Sequence, residues 1–226
     1  MPRKKTDLDV SGVWRTGAEA PAVFDFHEIF KNDQPVELDV GCGKGLFLFN
    51  QAQARPDVNF LGVDWSRTYS RLAAARIVRR GIRNVQIVSD DVWRLFPRFP
   101  DRSFQAIHAY FPDPWWKMRH RKRRLFRPEF LEQVHRLLID GGRLFVATDV
   151  EEYFQVIVAL TAQSPCLERI SDPPPASGET DLDFLTHFER KYRKTGRAIH
   201  RATYQMHRSP SPAAGPEGPN PHMETQ

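Results

Sequence analysis

The feature that most constrains this chain is the run Val36-Glu37-Leu38-Asp39-Val40, followed by Gly41-Cys42-Gly43-Lys44-Gly45 and then by Leu46-Phe47-Leu48-Phe49-Asn50-Gln51-Ala52. A short apolar run that breaks into glycines and resumes as an apolar segment reads as a buried strand, a tight turn and a helix packed on a sheet. Glycine lets backbone approach a ligand closely. A second strand over Asn59–Val63 ends at Asp64, where a carboxylate is placed to accept hydrogen bonds from ribose hydroxyls. Strand, glycine turn, helix, strand and terminal acid together make a nucleoside-binding unit.

The rest of the chain extends the pattern. Ser66 caps a helix that runs to about Arg80 and stops at Gly81. Further strands are expected at Val85–Ser89, Gln105–Tyr110 and Arg143–Ala147. Helices are expected at Pro128–Leu138, stopped by Gly141-Gly142, and at Val150–Gln163. This alternation over residues 36–163 predicts a mostly parallel sheet with helices on both faces. Past Asp172-Pro173-Pro174-Pro175, a helix is expected over Leu182–Lys194 and a last strand over Ala198–Gln205. The expected organisation is a flexible basic segment at 1–20, one domain at 21–208 and a disordered tail at 209–226, where five prolines and two glycines fall.

Composition narrows the function. The 226 residues suffice for one domain with a substantial core. No apolar run approaches the roughly 20 residues of a membrane helix, and no signal segment follows Met1-Pro2-Arg3-Lys4-Lys5, so a cytoplasmic location is expected. The two cysteines, Cys42 and Cys166, cannot alone build a zinc site or a disulfide framework. Cys42 reads as a small space-filler, and no metal is expected.

The glycine run separates two cofactor classes. A dinucleotide fold needs G-x-G-x-x-G, but the third glycine position is Leu46, which disfavours an oxidoreductase. Asp39 beside the loop suits a cation better than a pyrophosphate. S-adenosylmethionine, which carries an ammonium and a sulfonium, fits that requirement. Asp91, with Asp90 as neighbour and competitor, is placed to accept from an adenine amine.

The most informative stretch is Phe111-Pro112-Asp113-Pro114-Trp115-Trp116-Lys117-Met118-Arg119-His120-Arg121-Lys122-Arg123-Arg124-Leu125. It leaves the fourth strand of the alternation near the switch point where open α/β sheets bind ligands. Pro112 and Pro114 restrict the backbone around Asp113. Trp115 and Trp116 can shape a pocket or stack on a base. From Lys117 to Arg127 there are seven Lys or Arg residues and no acid, a surface suited to phosphates. Arg119, Arg121, Lys122, Arg123 and Arg124 are the expected phosphate contacts.

With these motifs in place, the sequence resembles the bacterial tRNA (guanine-N7-)-methyltransferase family over about residues 36–205. The carriers are Phe111 through Arg124, then Ala147-Thr148-Asp149 with Tyr153, then Thr186-His187-Phe188-Glu189 followed by Gly196. The resemblance implies a Rossmann-like class I methyltransferase fold, with a seven-stranded sheet whose last strand is antiparallel. It implies S-adenosylmethionine bound by Gly41, Gly43 and Gly45 with Asp39, Asp64, Asp91 and Asp113, the last also catalytic. It implies substrate contacts from Lys117, Asp149, Thr186, His187, Phe188 and Glu189, and guanine 46 of the tRNA variable loop as target, with no obligate protein partner. Asp39 and Asp64 stand where the family commonly has glutamate, and Cys42 where it often has phenylalanine. Rival readings are a methyltransferase for small molecules or proteins, which leaves the basic loop unexplained, and a non-catalytic RNA-binding protein, which leaves the acids and the constrained Asp113 unexplained.

Overall fold

The computed structural model describes residues 8–115, 118–170, 186, 196 and 198–208. One eight-stranded sheet spans them. Its strands are β1 (Trp14–Thr16), β2 (Val36–Val40), β3 (Asn59–Val63), β4 (Val85–Ser89), β5 (Phe104–Tyr110), β6 (Leu138–Thr148), β7 (Leu167–Ile170) and β8 (His200–Met206). They lie in the order β1-β4-β3-β2-β5-β6-β8-β7. All neighbouring pairs from β1 to β6 are parallel, and β8 runs antiparallel to both β6 and β7. The mostly parallel sheet with an antiparallel last strand is therefore as expected, with one strand more than seven.

Strands β2 and β3 are buried along their whole length, because helices cover both sides of this part of the sheet. On one face, Leu38, Val40, Leu61, Val63, Ile107 and Leu144 pack with α5 (Pro128–Leu137) and α6 (Glu151–Thr161) through Phe130, Val134, Tyr153 and Ile157. On the other, Phe60, Val85 and Ile87 meet Phe47 and Leu48 of α2 (Leu46–Ala54) and Ala73, Ala74 and Ile77 of α3 (Arg67–Arg79). Ser66 caps α3 by accepting from the Tyr69 amide, and Gly81, at φ 64°, takes the left-handed turn past its end.

Three expectations change. Residues 1–20 are not a flexible segment from Leu8 onward, because β1 pairs with β4. Trp14 is buried and its indole N–H donates to Ser70 Oγ at 2.9 Å, while Arg98 donates to the carbonyls of Gly17, Ala20 and Pro21. The Gly141-Gly142 pair does not stop α5, which ends at Leu137; the pair lies inside β6, where the β5 register shifts and Gly141 adopts φ 73°. Short α1 (Phe26–Phe30) and α4 (Val92–Leu95), and strand β7, have no counterpart in the sequence reading. The expected helix at 182–194, apart from Thr186, and the proline-rich tail at 209–226 lie outside the described residues.

Candidate active site

Chain order turns back between β2 and β5: β3 and β4 lie to one side of β2, β5 and β6 to the other. This is the switch point of an open α/β sheet, and a crevice forms there beyond the carboxyl ends of the strands. Asp39, Asp64, Asp91, Asp113 and Asp149 all lie at or just past such ends, on β2, β3, β4, β5 and β6 in turn.

The glycine turn has the geometry its composition requires. Gly41, Gly43 and Gly45 adopt φ values of 82°, 53° and 68°, the left-handed region that glycine enters without strain. A Cβ on Gly41 would meet nothing within 4 Å, so its outer side faces open space. A Cβ on Gly45 would come within 2.6 Å of Ala73 Cβ, so this glycine also lets α2 approach α3. The turn is tied to β3 by the Gly41 and Cys42 amides, which donate to the Val63 carbonyl.

Asp64 holds the turn from the opposite strand. Its Oδ2 accepts from the Gly43 amide at 2.8 Å and its Oδ1 from the Ser66 amide at 2.7 Å. Each oxygen keeps a further lone pair for a ligand hydroxyl. Burial raises its pKa, with help from the charge of Asp113, against the lowering effect of the two amides.

Asp39 differs. It is 3% exposed, and its Oδ2 is buried with no hydrogen-bond partner. Burial, with the neighbouring Asp64 charge, pushes its pKa up to about 8. A buried carboxylate oxygen without a donor is a costly arrangement that a cationic or N–H-bearing ligand relieves. S-adenosylmethionine fits this donor set: a carboxylate lacking a cation, an open glycine turn and a second carboxylate with spare lone pairs. Cys42, packed beneath the turn, is buried and its thiol is pushed up by burial and by both carboxylates, so it fills space rather than acting as a nucleophile. Gly62 makes that room, because a Cβ there would meet Leu48 Cδ1 at 2.5 Å and Cys42 Sγ at 3.1 Å.

Asp113 is exposed on the loop after β5. Phe111 and Trp115, two residues to either side, both have positive φ, 53° and 40°. For bulky residues such conformations cost about 1–3 kcal/mol each and persist only when the surroundings impose them. Those surroundings are visible. The Phe111 amide donates to the Ala147 carbonyl at 2.7 Å, and Arg124 Nε donates to the Pro114 carbonyl at 2.7 Å. The Arg124 guanidinium lies 5.2 Å from the ring centroid of Tyr153, and the Phe126 amide donates to the Tyr153 hydroxyl. Tyr153 is fully buried, and burial pushes its pKa up to about 12.

The sequence-predicted residues thus sort as follows. Asp39, Asp64 and Asp113 come close enough to act on one another electrostatically. Asp91 is exposed and caps α4 through Oδ1, whereas Asp90 packs against Gly17 and lies 3.7 Å from Arg94. Asp149 is half-buried at its strand end, and Thr186 is half-buried. In the basic loop, a short 3-10 helix spans Met118–Arg123, with Arg119, Lys122 and Arg123 exposed. Arg124 is half-buried and braces the loop, and the Arg123 guanidinium lies 5.2 Å over Trp115. Trp116, Lys117, His187, Phe188, Glu189 and the Arg121 side chain lie outside the described residues. Among the described residues no group of His, Cys, Asp or Glu is arranged to hold a metal ion, and no helix is long and apolar enough to cross a membrane.

Sequence reading missed a second buried cluster on β2. Glu37 receives both Arg55 guanidinium nitrogens at 2.7 Å, Gln105 Nε2 at 2.8 Å and His108 Nε2 at 2.9 Å. Its partners are 18, 68 and 71 residues away, so no local signal announces them.

This sheet order, the glycine turn and the acids at successive strand ends define a class I methyltransferase. Solved structures agree on the fold: the 16S rRNA methyltransferase KamB matches with a TM-score of 0.59 at 14% identity, over 85% of this chain and 98% of that one. The aminoglycoside resistance methyltransferase NpmB1 matches at 0.55 and 19% identity, over 80% and 91%. A family profile described as "Putative methyltransferase" covers residues 33–202. The tRNA (guanine-N(7)-)-methyltransferase of Rhodopirellula baltica is 40% identical over 205 residues, 88% of this chain and 76% of the relative. That of Rubrobacter xylanophilus is 34% identical over 174 residues, 77% and 78% respectively. The chain belongs to the tRNA (guanine-N(7)-)-methyltransferase family.

Proposed function

We propose that this enzyme transfers the methyl group of S-adenosylmethionine to N7 of guanine 46 in the variable loop of tRNA, working in the cytoplasm without a metal or an obligate protein partner. The observation that carries the reading is the orphaned, buried Asp39 carboxylate beside an open glycine turn, at the same sheet edge as a strained loop that presents Asp113 next to exposed basic residues. Position 46 rests on the resemblance of the motifs.

Bound S-adenosylmethionine supplies an electrophilic methyl on a sulfonium, which guanine N7 accepts through an in-plane lone pair with no proton to remove. This chain's residues therefore need only bind, orient and stabilise charge. Asp39, Asp64 and Asp91 hold the donor. Asp113 or Asp149 accepts from the guanine N1–H and exocyclic amine, with Thr186, His187, Phe188 and Glu189 on the substrate side. Lys117 reaches O6 or a phosphate, and Arg119, Arg121, Lys122 and Arg123 hold the backbone, with Arg124 as brace. A small-molecule or protein substrate would leave the exposed cations of the basic loop without a role.

The test is direct. The protein is incubated with a tRNA transcript and methyl-labelled donor, and the RNA is cleaved chemically at 7-methylguanosine. Label at one guanine in the variable loop is expected; label at another atom, or none with any tRNA, overturns the assignment. Asp113→Ala should abolish turnover with the fold intact.

A further inference from the structure

A second cationic stretch lies apart from the basic loop in the chain. Between Asp64 and Asp90 the chain carries six arginines, Arg67, Arg71, Arg76, Arg79, Arg80 and Arg83, and no acid. All except Arg76 are exposed. Among the described residues these five form no ion pair. They sit on α3 and the turn after it, with large apolar side chains between them: Trp65 is 79% exposed, Leu72 52% and Tyr69 46%. Residues 69 and 72 are three apart and so share one side of α3, and Trp65 lies just before the helix cap Ser66.

We propose that this face of α3 is a second contact surface for the folded tRNA, taking its phosphate backbone on the arginines and an unstacked base or ribose on Trp65 and Tyr69. The inference rests on the tRNA reading above and extends it. Three observations support it.

The ridge is continuous with the methyl-transfer site. Asp64, which holds the glycine turn, also holds the Ser66 amide, and Ser66 caps α3. From this edge of the site α3 extends for about 20 Å, enough to face several phosphates.

Several guanidiniums are also held in place. Arg67 and Arg71 lie 5.5 and 5.3 Å from the ring centroid of Trp14, and Arg80 lies 5.7 Å from that of Phe49. Lys44, from the glycine turn, adds a cation 5.2 Å over Tyr69. Side chains fixed before binding lose less entropy on meeting a phosphate.

The charge is unbalanced where it matters. Glu19 acts electrostatically with Arg67, and Asp9 lines a cleft with Arg71, both near the start of the helix. Arg79, Arg80 and Arg83 form no ion pair with an acid within 4 Å among the described residues. A partner that needs cations, aromatic faces and no acids is a nucleic acid.

The test compares the wild-type chain with an Arg71→Gln, Arg79→Gln, Arg80→Gln, Arg83→Gln variant. Affinity for an unmodified tRNA transcript is measured from 50 to 300 mM salt. Losing four phosphate contacts should flatten the slope of log affinity against log salt by about 3, and weaken binding at the lowest salt by roughly 10- to 100-fold. Donor affinity, read by calorimetry, should stay at the wild-type value and shows that the fold is intact. An unchanged slope and affinity would overturn the ridge while leaving the activity assigned above in place. Failure of the wild-type chain to methylate N7 of any tRNA guanine would instead remove the reading on which the ridge depends. If the variant does not fold, ultraviolet crosslinking of wild-type protein to tRNA decides. Crosslinks at Trp65 or Tyr69 are expected; crosslinks confined to residues 115–124 refute the proposal.

Discussion

Two buried carboxylates on one strand have opposite fates. Glu37 and Asp39 are two residues apart on β2, so they project from the same face of the sheet, and each is 3% exposed. Burial pushes the Glu37 pKa up, but hydrogen bonds from His108 and Arg55, and the Arg55 charge, outweigh it and bring it down to about 2. Asp39 has the same burial, no cation and a repelling neighbour in Asp64, and rises to about 8. Even the imidazole is divided unequally: His108 stands in register with Asp39, yet its ring turns to Glu37. A polar group whose partners are all supplied by the chain is a structural joint. One whose partners are missing is waiting for a ligand. This contrast, more than burial or charge alone, marks which acid belongs to the site.

The largest effect should come from breaking the satisfied member. Glu37→Gln leaves Arg55 facing a neutral amide and should cost about 2–4 kcal/mol of stability in urea denaturation, less than for a fully enclosed pair because Arg55 is 36% exposed. Wild-type stability would mean that the network is incidental and the contrast empty. The unsatisfied member should respond in binding instead. Asp39→Asn should weaken the donor by roughly 100-fold in calorimetry, about 2.7 kcal/mol. If donor affinity survives, the orphaned oxygen has another purpose.

The two acids also predict opposite pH dependences. The folded pKa of Glu37 lies below its unfolded value of 4.5, so its contribution is present above that pH and is lost as pH falls through about 2. The folded pKa of Asp39 lies above its unfolded value of 3.8, so the folded chain holds the extra proton between the two, and stability declines as pH rises toward 8. Asn at 39 cannot ionise. Asp39→Asn should therefore stabilise the donor-free protein, by little at pH 4 and by progressively more as pH rises toward 8. Denaturation curves at the two pH values read the difference, and an equal effect at both would show that Asp39 is already charged.

How much of this was legible beforehand follows from where each signal resides. Strands β2 to β5 announce themselves as short apolar runs bounded by turns, and Ser66 and Gly81 bracket α3 by local capping chemistry. The acids at strand ends are visible because alternation places every parallel strand's end at one edge. Strand β1 is not visible: it is three residues long, and what orders it is Trp14 reaching Ser70 across 56 residues. Arg124 reads as one more cation in a basic run, and only its contacts with Pro114 and Tyr153 reveal a brace. Glu37 and Asp39 look alike in sequence, since the partners that separate them arrive from α2's end and from β5.

The smallest effect probes how far the satisfied network reaches. His108 is buried, and burial lowers its pKa, with Arg55 adding to the effect and Glu37 opposing it. A neutral imidazole must then donate from Nε2 to Glu37, which leaves Nδ1 as an acceptor. Tyr110 supplies the donor, its hydroxyl 3.0 Å from Nδ1. Tyr110 is also the last residue of β5, immediately before the strained Phe111 and the loop that carries Asp113. Phe47, one residue into α2 past the glycine turn, packs its ring 4.4 Å from His108 and 5.2 Å from Tyr110. Tyr110→Phe keeps the ring and removes only the donor, so stability should fall by about 1 kcal/mol. If the network is purely a joint, donor affinity and methyl transfer should both match wild type once the protein is folded. A fall in methyl transfer at unchanged donor affinity would show that the joint also sets the strained loop, and the boundary between the two carboxylates would have to be redrawn at Tyr110.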